Sequence, residues 1–322
     1  MRRVKSISDS KRQLITLYLT VLGMYAIPAL FSAPFRSVQN ATNILNQAAP
    51  IGFVALGQTF PILIGGIDLS VGSVVSLTTA LAAVYMATSG GIFTGVCLCL
   101  FAAAVVGLVN GLVINKLRVE PLIATLGTTG VVSGITLAIM PYPGGYVPSG
   151  FTNWWSYRVF GFFPLAFVYF LVGLLICHLI LNFTRFGRRV YALGGDEHKA
   201  SVAGIKVKRI KMGVYVLSSV FASIGGLALA ARMRSGDPLA GNPFTLSSIA
   251  AVIVGGNSFT GGVGGVIGTA AGVAIMGLLS VILNIYGISP FFQNVLAGLI
   301  VVAAVVFNSI RSRSILQAKG RQ

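Results

Sequence analysis

The sequence predicts an all-α, polytopic membrane protein, and three observations carry that prediction. Of 322 residues, 55% are hydrophobic and only 9% charged, whereas a soluble domain needs about 25% charged residues to cover its surface. The apolar residues fall into long runs, far beyond the ~9–11 residues of a barrel strand, so the backbone must satisfy itself within helices. The basic residues gather in clusters that alternate with those runs, the pattern that sets topology in a plasma membrane.

The runs lie at approximately 14–33, 44–64, 70–88, 92–114, 121–140, 162–183, 212–231, 245–260, 263–284 and 290–309. Read as crossings, they give about ten transmembrane helices (8–10) in a single membrane domain over 1–322, with both termini cytoplasmic. Eight or nine crossings remain open, because 245–260 and Gly65–Ser73 can also be read as re-entrant. The first run is longer than a signal h-region, and Pro34 after Phe31-Ser32-Ala33 makes a poor cleavage site, so a retained helix is expected.

The net charge of +17 does not point to nucleic acid. Nineteen of the 23 basic residues fall in four groups: Arg2 to Arg12, Lys116 with Arg118, Arg185 to Lys211, and Arg311 to Arg321. Ten crossings put all four in the cytoplasm, and leave 141–161 and 232–244 outside. The outer segment Pro141–Pro148, followed by Trp154 and Trp155, reads as an interfacial anchor or a docking surface for an external partner. Asp237 with Arg232 and Arg234 reads as an outer patch or as a solvated loop. Cys97, Cys99 and Cys177 sit inside apolar runs and suggest neither a disulfide nor a metal site.

Asp68, within Gly65-Gly66-Ile67-Asp68-Leu69-Ser70-Val71-Gly72-Ser73, is the only charged residue between Arg36 and Lys116. A carboxylate at membrane depth costs about 2.5–3.5 kcal/mol on insertion scales, so it needs a reason. Three stand open: capping the helix that starts near Leu69, with Ser70 assisting; pairing with a cation from another helix; or contacting a ligand. Ile64-Gly65-Gly66…Gly72 is echoed by Val254-Gly255-Gly256…Gly262, and Gly-interrupted segments in corresponding halves point to a transport pathway. Gly264, Gly268 and Gly272, like Gly107 and Gly111, recur at i, i+4 and predict close helix packing.

Residues 184–211 form the one long charged segment, and a short helix can be placed within it. Gly194 and Gly195 break the preceding structure, Asp196 caps, and Glu197 places negative charge in the first turn. Ala200, Val202 and Ala203 continue the helix. Gly204 is the C′ residue, with Ile205 closing it. Such a helix suits a groove on a soluble partner. The bland alternative is a solvated loop carrying topology charges.

Gly65–Ser73 resembles the Gly-Gly-Ile-Asp-Leu-Ser-Val-Gly-Ser signature of the inner-membrane permease subunits of ATP-binding-cassette importers for monosaccharides of the ribose, xylose and galactose type. Thr184–Lys211 resembles that family's cytoplasmic loop, with Arg-Phe-Gly and Gly-Gly-Asp-Glu…Gly-Ile in place. Ala251–Gly256 and Gly261–Thr269 resemble its Gly-rich C-terminal segment. The related branched-chain amino-acid permeases share the fold and lack Ile-Asp-Leu-Ser-Val. The resemblance implies a type II importer-like bundle in a bacterial inner membrane, and a second permease copy or paralogue as partner. It also implies two cytoplasmic ATP-binding subunits, an external sugar-binding protein, contact with membrane lipid, and no cofactor, catalytic residue or nucleic acid. The helix at 196–204 then becomes the ATPase-coupling element, with Gly194, Gly195, Asp196, Glu197, Ala200, Gly204 and Ile205. The absence of a Gly-Lys-Ser/Thr loop agrees with ATP hydrolysis on a separate subunit. The competing class is a secondary carrier or channel acting alone. A neutral sugar needs hydrogen-bond partners along an apolar path. Asp68, Ser70, Gln58, Thr59, Asn46 and Asn110 are the candidate lining, with Gln47 and Asn294.

Overall fold

In a computed structural model, residues 7–87, 91–289, 291–292 and 294–303 are described, with side chains from residue 12 onward. The basic residues at the extreme termini and the end of the 290–309 run lie outside them. The described chain is a helical bundle. Its only paired strands are the two-residue hairpin Arg158–Val159 with Phe163–Pro164, which turns at Phe160 and Gly161, both with positive φ.

Helix α1 (Ile7–Phe31) is followed by a single turn, α2 (Ala33–Arg36), which Ser32 caps by accepting from Phe35 N at 3.4 Å. Ser37 then caps α3 (Val38–Leu63) by accepting from Asn40 N at 3.1 Å. Next come α4 (Val71–Tyr85), α5 (Gly91–Lys116), and α6 (Pro121–Ile139), whose proline fills the first helical position where no donor is needed. The second half holds α7 (Ser149–Ser156), α8 (Leu165–Phe183), α9 (Arg185–Gly195), α10 (Glu197–Val202), α11 (Val207–Met233), α12 (Asn242–Val254), α13 (Val266–Ile285) and α14 (Asn294–Ala303).

Six helices among the described residues are long and apolar enough to cross a membrane: Arg12–Phe31, α5, α6, α8, α11 and α13. At about 1.5 Å per residue, α3 is also long enough. The 15 residues of α4 and the 13 of α12 reach only about 20 Å, short of a ~30 Å core. The 245–260 run therefore holds a short helix and a turn, and is not one continuous span.

α11 is the central post, packed on α3, α4 and α5. Small residues allow that contact. A methyl added at Gly107 of α5 would stand 2.5 Å from Tyr215 O, and one at Gly225 of α11 would stand 2.8 Å from Pro50 O. The Gly268–Gly272 face of α13 meets α12 in the same way: added methyls would fall 2.1 Å from Gly255 O and 1.9 Å from Ala251 O. Lipid tails are as apolar as leucine, so close van der Waals packing of this kind, not solvent exclusion, holds such helices together. α1 is peripheral and largely exposed; its Tyr18 hydroxyl donates to Ile267 O at 3.0 Å.

Candidate translocation pathway and the 184–211 loop

At the end of the bundle remote from the 184–211 loop, two adjoining cavities of about 350 and 440 Å³ share Gln47 and Arg232 as a common wall. The first is lined by Asn43, Asn46, Gln47, Trp155 and Arg234; the second adds Ser247, Ser280 and Asn284. The amides come from one face of α3, because positions i, i+3 and i+4 are neighbours on a helix. Arg232 and Arg234 arrive at the end of α11, and Arg234 closes that helix in the left-handed region at φ 60°. The cleft joins amides, hydroxyls and guanidinium groups to an indole, and among the described residues no carboxylate lines it.

The loops at this end are clasped. Gly144 and Gly236 exchange backbone hydrogen bonds at 2.9 and 2.8 Å, and Val147 N donates to Arg234 O at 3.2 Å. Segment 141–148 is thus tied across the 233–241 connection. Trp155, whose sequence context suggests only an anchor or docking surface, packs edge-on against Phe53 and Tyr169 and lines the cleft. Trp154 is the exposed member of the pair, and its indole N–H donates to the Tyr169 hydroxyl. Asp237 forms no ion pair with Arg232 or Arg234 among the described residues; its carboxylate accepts from Leu239 N at 2.8 Å.

The sequence-predicted pathway residues do not assemble into one channel. Asn46 and Gln47 line the cleft, while Gln58, Thr59, Asp68, Ser70 and Asn110 are completely enclosed and Asn294 is exposed elsewhere. Thr59 bonds Thr269 at 2.9 Å, which in turn accepts from Asn257 at 3.0 Å, tying α3 to α13.

Asp68 sits at the α3–α4 break. α4 begins at Val71 with Ser70 as N-cap, so Asp68 is not itself the cap. Its Oδ1 instead accepts from Ser70 N at 3.0 Å and from Ser70 Oγ at 2.6 Å, an Asx turn one residue ahead of the helix. Asn110 Nδ2 donates to Ser70 Oγ at 2.9 Å, and Leu69 N donates to Thr125 Oγ1 at 3.1 Å. With its amide nitrogen facing the Asp68 carbonyl, Gln58 spans the Asp68 backbone with bonds of 3.2 Å to both O and N. Among the described residues no cation pairs with Asp68; the ion pairs are Lys199–Asp196 and Lys211–Glu197.

The 184–211 loop folds as two helices joined at one residue. Thr184 caps α9, and Asp196 is at once the C-cap of α9 and the N-cap of α10, accepting from Lys199 N at 3.0 Å. That backbone bond holds the Asp196 carboxyl below its ordinary range. α10 ends in a Schellman motif: Ile205 N donates to Ala200 O at 3.1 Å and Gly204 N to Ser201 O at 3.0 Å, with Gly204 at φ 80°. Ala200 faces inward while Val202 is 77% exposed, leaving an apolar side chain on the outer surface of α10. Gly194 and Gly195 do not break the preceding structure; they are the last two residues of α9.

A family model described as branched-chain amino acid transport system / permease component matches residues 40–305. The ribose import permease protein of Bacillus subtilis is 36% identical over 94% of this chain and 95% of its own length. The galactose/methyl galactoside import permease protein of Escherichia coli is 35% identical, covering 92% of this chain and 94% of its own. The D-allose transport system permease protein of the same species is 32% identical over 97% and 98%. Matches of this extent, over a bundle rich in membrane-length helices, place the chain among transport components, not enzymes: it belongs to the branched-chain amino acid transport system / permease component family.

Proposed function

We propose that the chain is the inner-membrane permease subunit of an ATP-binding-cassette importer that takes up a monosaccharide. The curated relatives are named as permeases for ribose, galactose and allose, and the Ile-Asp-Leu-Ser-Val stretch agrees with the sugar branch of the family. One observation carries the mechanism: the two functional elements lie at opposite ends of one bundle. A cleft lined by amides, an indole and the guanidinium groups of Arg232 and Arg234, with no carboxylate among the described residues, offers hydrogen bonds to a neutral polyol. A rigidly capped, partly apolar helix at the other end suits a groove on a soluble ATPase.

Sugar is delivered to the cleft by an external binding protein. Two ATP-binding subunits seat α10 from the cytoplasm, and the permease works beside a second copy or a paralogue. A topology with both termini cytoplasmic puts every basic cluster on the ATPase side. The test is reconstitution with an ATPase subunit and a sugar-binding protein of this importer class. Uptake that needs all three components, and that is lost with Gly204→Val because this breaks the α10 terminus, is the expected result. Sugar flux through the permease alone would establish a carrier or channel in its place.

A further inference from the structure

A cavity of about 930 Å³ opens at the end of the bundle that carries the 184–211 loop, between the α5–α6 connection, α10 and the start of α11. Five basic side chains line it: Arg118, Lys206, Lys208, Arg209 and Lys211. Two carboxylates join them. Glu197 is taken by Lys211 Nζ at 2.7 Å, and Glu120 stands at the start of α6, where the helix end itself favours negative charge. Among the described residues Arg118, Lys206, Lys208 and Arg209 form no ion pair. Lys206 holds the N-cap position of α11 without a capping bond, and Lys208 and Arg209 follow in the first turn. Cations there add to the positive end of the helix dipole instead of offsetting it. Arg118 is held at φ 55°, a left-handed conformation that a side chain disfavours and glycine adopts freely. Topology signalling accounts for the number of basic residues at this end. It does not require them to converge on one cavity, at a helix N-terminus and in a strained turn. A bound anion accounts for all three.

The adjoining surface says which anion. Leu117, next to Arg118, is exposed, and so are Leu122, Ile123 and Leu126 in the first turns of α6. α5 and α6 are both of membrane length, so an apolar, lipid-facing surface runs directly into the basic cavity. We propose that this cavity binds the headgroup of an anionic phospholipid, with the phosphate held by Arg118, Lys206, Lys208 and Arg209 and the acyl chains lying along α6. The inference rests on reading the chain as an inner-membrane permease with this end at the cytoplasmic leaflet. Basic pockets between membrane helices recruit anionic headgroups from that leaflet. An acidic surface of the ATPase would answer the cations and leave the exposed leucines beside them without a partner; a lipid answers both. The wall is fixed before the lipid arrives, because Asn115 Nδ2 donates to Lys208 O at 2.9 Å and ties the end of α5 to the start of α11. His198 and Ser201 of α10 line the same cavity. A headgroup seated there therefore braces α10 against α5 and α11.

The experiment measures, by native mass spectrometry of the full-length permease in detergent, the retention of added phosphatidylglycerol against phosphatidylcholine. Phosphatidylglycerol is expected to be retained preferentially. Each cation removed is expected to weaken it about fivefold, so the triple variant Lys206→Gln, Lys208→Gln, Arg209→Gln should weaken it by about a hundredfold. Removing the same charge from α9, with Arg185→Gln, Arg188→Gln and Arg189→Gln, is expected to leave retention unchanged, because none of the three lines the cavity. Equal loss in the two triple variants would show general surface attraction and overturn the proposal. Arg118→Gly serves if the cavity triple does not fold: it relieves the left-handed turn and is expected to weaken phosphatidylglycerol about fivefold. Unchanged retention in Arg118→Gly also overturns the proposal. So does displacement of the lipid by equimolar glycerol phosphate, which would make this a soluble-anion site. Cavity variants that keep the lipid and lose the ATPase would assign the cavity to that partner instead. The permease alone is measured, so an importer that moves no sugar leaves a positive result standing, whereas absent retention in an importer that does move sugar refutes the lipid site alone.

Discussion

Replacing Asp68 in two ways separates the roles open to a buried carboxylate. Asp68→Ala leaves the Ser70 N–H and O–H without their acceptor in a site that is 0% exposed. Each orphaned buried donor costs about 1–3 kcal/mol, so the variant should lose about 2–6 kcal/mol. Asp68→Asn keeps an oxygen where Oδ1 lies. Both bonds weaken from the charged to the neutral class, a loss of about 1–1.5 kcal/mol each. Removing a buried charge returns several kcal/mol of desolvation, so the net change should stay within about 2 kcal/mol of zero. Thermal unfolding in detergent, read beside sugar uptake, gives the comparison. The asparagine variant should melt near the unsubstituted protein and still transport; the alanine variant should melt well below it. Equal destabilisation by both would show that the negative charge itself is needed, as for a cation brought by a second permease copy. A stable asparagine variant that transports nothing would refute the structural role of the Asx turn.

Gln47 is shared by both halves of the cleft, so Gln47→Ala should raise the KM for uptake by about 2–10-fold, the effect of one neutral hydrogen bond, with little change in melting. Asp196→Asn preserves a good N-cap whereas Asp196→Ala removes it, so only the alanine variant should weaken co-purification of the ATPase. The Asp196 carboxyl titrates below its ordinary 3.8 because Lys199 N donates to it. Its contribution to the loop is therefore complete above pH 3.8 and lost as pH falls through the folded value, and ATPase binding measured between pH 5 and 8 should show no dependence on this group. Gly272→Ala places a methyl 1.9 Å from Ala251 O and should cost about 1–3 kcal/mol or more in thermal unfolding. Gly134→Ala, with nothing within 4 Å, should cost nothing.

What the sequence made legible is what neighbours in the chain determine. The apolar runs became helices because each must satisfy its own backbone. α10 formed between Asp196 and Gly204 because its caps lie within the segment they close. The glycines at 107/111 and 268/272 were found at close helix contacts for the same local reason, whereas Gly264 lies in the turn before α13 and faces Asn257. What stayed hidden depends on groups far apart in the chain. Gly194 looked like a helix breaker, yet it lies in a helix and is small because Leu63 O, 131 residues earlier, occupies the place of its side chain. Trp155 showed only its aromatic character; its place in the cleft depends on Phe53 and Tyr169. The Asn43, Asn46 and Gln47 stripe was the available signal for the cleft, since three amides on one face of a largely apolar helix need polar company.

The echo between Gly65-Gly66 and the 255–262 segment acquires a physical basis from the α3–α4 and α12–α13 breaks. Each follows a helix that stops and precedes another that starts again, so each exposes backbone groups that must find partners. Asp68, Thr125 and Gln58 supply them at the first break, and Asn257 supplies them at the second by donating to Val252 O at 2.8 Å and accepting from Gly265 N at 2.7 Å. Polar side chains at both breaks thus serve the backbone, and the carboxylate at Asp68 is the strongest acceptor available where two donors of one residue must be held together. With those groups satisfied internally, the glycines of the two turns are left free to meet each other and Gly194. The same break that makes an intramembrane Asp necessary also makes a side-chain-free junction possible, and the two features should be lost together if either turn is replaced by continuous helix.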